Sequence, residues 1–98
     1  MNIQTKKEDN ALTIILEGRL DTSTAPQLEE CINSSLEGIT DLSLDLSSLD
    51  YISSAGLRVL LSAQKKMMTK GQMQICGANE TVMEIFEITG FSDILTIQ

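Results

Sequence analysis

The sequence predicts a small α/β domain, residues 1–98, in which helices pack on a mostly parallel sheet of four to five strands. Strand and helix patterns alternate along the chain in the order β-β-α-β-α-β-α-β, which is typical of parallel strands joined by right-handed crossovers. The chain has 98 residues, 42% of them hydrophobic, so it can bury one modest core and has no room for a second domain.

The first half of the chain holds two strand patterns and one helix pattern. Residues 3–8 and 11–18 flank Asp9-Asn10, which predicts a hairpin with a two-residue turn. Thr24-Ala25-Pro26-Gln27 has the form of a capping box, so the helix is expected to begin with Thr24 as its N-cap. Gly38 is expected to stop this helix.

The second half begins with residues 41–46, where apolar and polar side chains alternate as in a half-buried strand. Residues 47–52 are expected to form a loop, followed by a helix over residues 54–70 and a short strand over residues 73–76. A third helix capped by Asn79 and an edge strand over residues 94–97 complete the order.

The inner side of the second helix is expected to carry Leu57, Leu60, Leu61, Gln64, Met67 and Met68. The expected core includes Leu28, Ile32, Leu42, Leu44, Leu57, Leu60, Leu61 and Phe86.

Charge and composition exclude several classes of function. The formal net charge of −7 disfavours nucleic acid and anionic membranes as partners, and leaves a basic protein partner open. The chain contains no histidine, which removes Ser-His-Asp and Cys-His catalysis, and no Gly-rich phosphate cradle is present. No apolar run approaches the roughly 20 residues needed to span a bilayer, and the polar start of the sequence does not resemble a signal peptide, so the protein is expected to be cytoplasmic. We also expect that it is not an enzyme and uses neither a metal nor a cofactor.

The edge of the sheet where the parallel strands end is the expected functional surface. Loops over residues 18–23, 47–53 and 77–79 meet there. Ser53 and Ser54 stand side by side at the junction of loop and second helix, where Ser53 suits the N-cap and Ser54 the first helical position. From local chemistry alone, both serines could be capping residues and nothing more.

The segment Leu49-Asp50-Tyr51-Ile52-Ser53-Ser54-Ala55-Gly56-Leu57 resembles the signature of the STAS domain family, and within it the stand-alone anti-sigma factor antagonists of bacteria. Gly18-Arg19-Leu20-Asp21 is similar to the second recurring motif of that family, and the resemblance covers essentially the whole chain. The resemblance implies partner switching in transcription regulation. The unphosphorylated antagonist binds an anti-sigma factor with serine kinase activity and frees a sigma factor. Phosphorylation ends this complex, and a phosphatase resets the cycle.

The alignment implied by the resemblance places the phosphorylated position on Ser54. The residues it implies for partner binding are Leu20, Asp21, Thr22, Ser53, Ser54, Ala55, Gly56 and Arg58. Well-known members carry Asp where this chain has Ser53, so Ser53 is the alternative acceptor of the phosphate.

Alternatives remain open for two of these residues and for the partner. Asp21 is either a turn aspartate or a carboxylate that orients the Ser54 hydroxyl or meets the partner. Arg58 either pairs with Asp50, with Asp21 or with an acidic partner, or is a solvated surface residue. The alternative function is a STAS-type regulatory or small-ligand module for another partner, such as a membrane transport complex.

Overall fold

Four strands form one sheet in which the spatial order is the order of the chain. The computed structural model describes all residues, Met1–Gln98. The strands are β1 (Asn2–Glu8), β2 (Ala11–Leu20), β3 (Asp41–Ile52) and β4 (Gln72–Cys76). β1 is antiparallel to β2, whereas β2, β3 and β4 run parallel to one another. The predicted fold class is confirmed, with four strands.

Three helices complete the fold: α1 (Ala25–Ser35), α2 (Ser54–Met68) and α3 (Glu80–Thr89). The crossovers through α1 and α2 both step in the same direction along the sheet. Because such crossovers are right-handed, both helices lie on the same face and pack against each other. No helix combines the length and the hydropathy needed to cross a membrane.

One cluster of 24 buried residues lies between the sheet and the helices. The predicted core residues are all buried except Leu61, which is half-buried. The prediction that Met68 lies on the inner side of α2 is wrong, because this residue is 72% exposed. Val59 and Ala63 are buried instead, since the inner side of α2 is rotated away from Leu61 and Met68.

The loop predicted for residues 47–52 is wrong, because β3 continues as a strand to Ile52. The pairing of β2 with β3 shifts register between Ile15 and Glu17 and again after Gly18, as at a β-bulge. The bulge interrupts the alternation of β3 at Ser47 and Ser48, which are both exposed. β2 is likewise two residues longer than predicted, because it pairs with this extension as far as Leu20.

The ends of two other elements also differ from expectation. Thr24 occupies the N-cap of α1 but makes no capping hydrogen bond, because its hydroxyl oxygen accepts from the Asp21 N–H while its proton is donated to the Arg19 carbonyl. Gln27 points its amide towards the Met1 carbonyl, so the capping box is absent. The last predicted strand is reduced to one bridge between Ile75 and Ile97, which follows a 3-10 turn at Phe91–Asp93.

Candidate functional site

The candidate site lies where the carboxyl ends of β2 and β3 meet the start of α2. Leu20 and Ile52 are partners in the β2–β3 pairing, and each is the last residue of its strand. The Ser53 N–H donates to the Leu20 carbonyl at 2.8 Å. This hydrogen bond joins the start of α2 to the end of β2, so that the β2–α1 loop and the first turn of α2 share one surface.

The two serines at this junction have different roles, as predicted. Ser53 is the N-cap of α2, and its side chain accepts a hydrogen bond of 3.4 Å from the Gly56 N–H. Ser54 is the first residue of α2 and is exposed. Its hydroxyl makes no hydrogen bond within the molecule. Of the two hydroxyls, that of Ser54 is therefore the more accessible to a modifying enzyme.

Two of the predicted partner-binding residues, Leu20 and Gly56, are buried beneath this surface. A Cβ atom on Gly56 would lie 2.7 Å from Leu20 Cγ and 2.9 Å from Ile52 Cγ1. Only a residue without a side chain lets the first turn of α2 approach the strand ends so closely. Leu20 and Gly56 thus act at this site by positioning Ser53 and Ser54.

Asp21 organises the β2–α1 loop. Its Oδ1 accepts hydrogen bonds from the Ser23 hydroxyl at 2.7 Å, the Ser23 N–H at 3.0 Å and the Thr24 N–H at 3.2 Å. The Ser23 hydroxyl is the main reason why the pKa of Asp21 lies below its usual value. No hydrogen bond links Asp21 to Ser54, so the structure favours the turn role for this carboxylate. Thr22, at the tip of the loop, is exposed.

Two arginines lie near this edge and differ in their contacts. Arg19 stacks on the Tyr51 ring, with the guanidinium carbon 4.5 Å from the ring centroid, and its Nε lies 4.0 Å from Asp21 Oδ2. Sequence reasoning missed this pair, because Arg19 and Tyr51 become partners only through the extended β2–β3 pairing. Arg58 is exposed and forms no ion pair with Asp50 or Asp21.

A shallow groove of about 150 Å³ runs between the first turns of α1 and α2, next to Ser54. Most of its surface is apolar. Two of the predicted partner-binding residues, Thr22 and Ala55, contribute to its lining. The residues that line it are Thr22, Ala25, Pro26, Glu29, Ala55 and Val59.

Comparisons with known proteins agree on one family. The family model described as the STAS domain matches residues 2–98. BtrV of Bordetella bronchiseptica, described as a candidate anti-sigma factor antagonist, is 37% identical over 99% of this chain and 85% of its own.

Solved structures show the same fold. An anti-sigma factor antagonist from Mycobacterium paratuberculosis superposes with a TM-score of 0.89 at 21% identity, covering 98% of this chain and 83% of that one. Unphosphorylated SpoIIAA, also an anti-sigma factor antagonist, superposes with a TM-score of 0.78 at 17% identity, covering 99% of this chain and 87% of its own. The phosphorylated form of the Bacillus SpoIIAA protein gives a TM-score of 0.77, also at 17% identity, over 99% of this chain and 91% of that one.

Proposed function

The chain belongs to the STAS domain family, and on this basis we propose that it is an anti-sigma factor antagonist switched off by phosphorylation of Ser54. In its unphosphorylated form it binds an anti-sigma factor that is also a serine kinase, and thereby releases a sigma factor. The kinase then modifies Ser54, and a phosphatase restores the active form. The protein itself performs no catalysis.

The observation that carries this proposal is the position of Ser54. Its free hydroxyl is exposed at the first residue of α2, at the edge where the β2–α1 loop and α2 form one surface. The description of BtrV and the existence of SpoIIAA in phosphorylated and unphosphorylated forms support the same mechanism for this chain.

Phosphorylation at this position is compatible with the folded state. The N-terminus of a helix carries free N–H groups and the positive end of the helix dipole, both of which favour a phosphate. A phosphoserine adds between about 1.5 and 2 negative charges at pH 7. Because the free protein tolerates this charge, the switch acts at the interface, where the phosphate adds bulk and charge against a closely packed partner.

The proposal is tested with purified anti-sigma kinases of the source organism. Calorimetry measures their binding to this chain, and mass spectrometry measures the phosphate that they add to it. With one of these kinases, the wild-type chain should bind, and in the presence of ATP it should gain one phosphate on Ser54. Ser54→Ala should bind and stay unmodified. Ser54→Asp should keep the fold and bind at least about tenfold more weakly, because a crowded charge at an interface is costly.

A matched control is Ser34→Asp, which places the same charge on the exposed side of α1, away from this edge. It should bind like the wild type. Phosphate on Ser53 would move the switch to the neighbouring hydroxyl. Equal affinity of Ser54→Asp and the wild type would contradict the switch, and a failure of every kinase to bind the wild type would contradict the proposed function.

A further inference from the structure

We propose that the groove between α1 and α2 is an anchor site, which takes one aliphatic side chain of the anti-sigma partner with a lysine or arginine beside it. This inference rests on the proposed function and adds the chemistry by which the partner is recognised. It assigns the affinity of the complex to a place next to Ser54 and not to Ser54 itself.

The shape of the groove follows from small residues at the two helix starts. Ala25 and Pro26 form the first turn of α1, and Ala55 lies in the first turn of α2, with Val59 one turn further on. Larger side chains at these positions would close the space between the helices. The volume of about 150 Å³ is comparable to a cavity that holds a benzene-sized group. It therefore suits a single aliphatic side chain.

The negative charge at the groove favours a basic residue of the partner next to the aliphatic side chain. Glu29 is the only charged residue that lines it, and the carboxylate is exposed. No lysine or arginine contributes to the lining, so a basic group of the partner would meet an unpaired carboxylate. The net charge of −7 acts in the same direction, because it attracts a basic partner at longer range.

The position of the groove connects it to the switch. Ala55 directly follows Ser54 in the first turn of α2. A phosphate on Ser54 would keep water bound beside an apolar site that must lose water when the anchor enters. The modification would thus weaken insertion of the anchor in addition to repelling acidic groups of the partner.

The first test fills the groove. Ala55→Leu introduces an aliphatic side chain at the second position of α2, and Thr81→Leu introduces the same side chain at the second position of α3 as a matched control. The probe is the purified anti-sigma kinase that binds the wild type. Ala55→Leu should weaken binding by about tenfold or more, because loss of a buried anchor typically has that effect. Thr81→Leu should bind like the wild type.

The second test reverses the charge. Glu29→Lys alters the groove, whereas Glu30→Lys makes the same change in net charge on the adjacent exposed residue outside it. Glu29→Lys should weaken binding by clearly more than Glu30→Lys, and the difference should shrink at high salt. Since Glu29 is exposed, this variant tests the groove even if Ala55→Leu alters the stability of α2.

The outcomes separate the groove from the proposed function. If Ser54→Asp releases the kinase but Ala55→Leu and Glu29→Lys bind like their controls, the groove is not the anchor site and the proposed function stands. If no kinase binds the wild type, both inferences are wrong. If the two groove variants bind clearly more weakly than their controls, the anchor site is supported.

Discussion

At the scale of single residues, Gly56 determines how closely α2 approaches the sheet. Gly→Ala in a helix is usually stabilising by about 1 kcal/mol. Here the added Cβ would meet Leu20 and Ile52 at less than 3 Å, and both side chains are buried. We expect Gly56→Ala to lower the free energy of unfolding by about 1–3 kcal/mol, as in other overpacked cores. Urea denaturation measures this change.

A double variant isolates the cause. In a Leu20→Ala background only the close contact with Ile52 Cγ1 remains, so adding Gly56→Ala should cost clearly less stability than it does in the wild type. If Gly56→Ala destabilises both backgrounds equally, the contact with Leu20 is not the reason for the glycine.

Asp21 should make the stability of the β2–α1 loop depend on pH. The hydrogen bonds from Ser23 and Thr24 lower the pKa of this carboxyl in the folded state, so folding favours the carboxylate. The stabilisation is therefore present above the ordinary pKa of about 3.9 and is lost as pH falls through the lower folded value. A carboxyl NMR titration should place the midpoint of Asp21 below that ordinary value. The stability difference between the wild type and Asp21→Asn should shrink in the same range, and a normal midpoint would contradict the assignment.

At the scale of elements, α2 and α3 begin with caps of different strength. The Gly56 N–H lies 3.4 Å from the Ser53 hydroxyl, whereas the Val82 N–H lies 2.9 Å from the Asn79 side chain. Asn79 also donates to the Leu49 carbonyl at 2.9 Å. Ser53→Ala should therefore cost at most about 1 kcal/mol of unfolding free energy and Asn79→Ala more. Thermal unfolding of the two variants measures the difference, and the reverse order would contradict this interpretation.

The same elements show what the sequence could predict. Ser53, Ser54 and Asn79 were placed correctly because capping depends on residues within one turn. The end of β3 was not, because a bulge disrupts alternation locally and is compensated only by pairing with β2. The contact between Arg19 and Tyr51 and the groove at Ala55 depend on the packing of distant segments, which no local pattern specifies.

At the scale of the whole molecule, β3 is a central strand of the sheet and contributes several buried side chains to the core. Leu44 is fully buried in β3, between Ile14 of β2 and Ile75 of β4 in the pairing. Leu44→Ala should cost about 2–5 kcal/mol, because it removes buried methyl groups and leaves a cavity. Denaturant unfolding measures this loss, with Ser48→Ala as the control, because Ser48 is an exposed residue of the same strand. A loss below about 1 kcal/mol would show that the centre of the sheet can collapse around the change.

The fold class could be predicted because every strand pairs with its neighbour in the chain. The alternation of strand and helix patterns is then sufficient to give the topology. The sequence did not distinguish between four and five strands. The segment at Ile97 forms only one bridge, next to β4, and a short apolar pattern does not reveal how few residues will pair.

The sequential order of the strands also has a consequence for the speed and route of folding. Each pairing closes either a two-residue turn or a connection that contains one helix. Every strand therefore pairs with the strand that precedes or follows it in the sequence. Folding rates rise as the sequence separation of contacts falls, so this topology should fold quickly for a protein with parallel strands. The β2–β3 pair carries the most extensive strand contacts, which makes it the expected nucleus. In that case the edge that holds Ser54 would be among the first parts of the molecule to reach its final form.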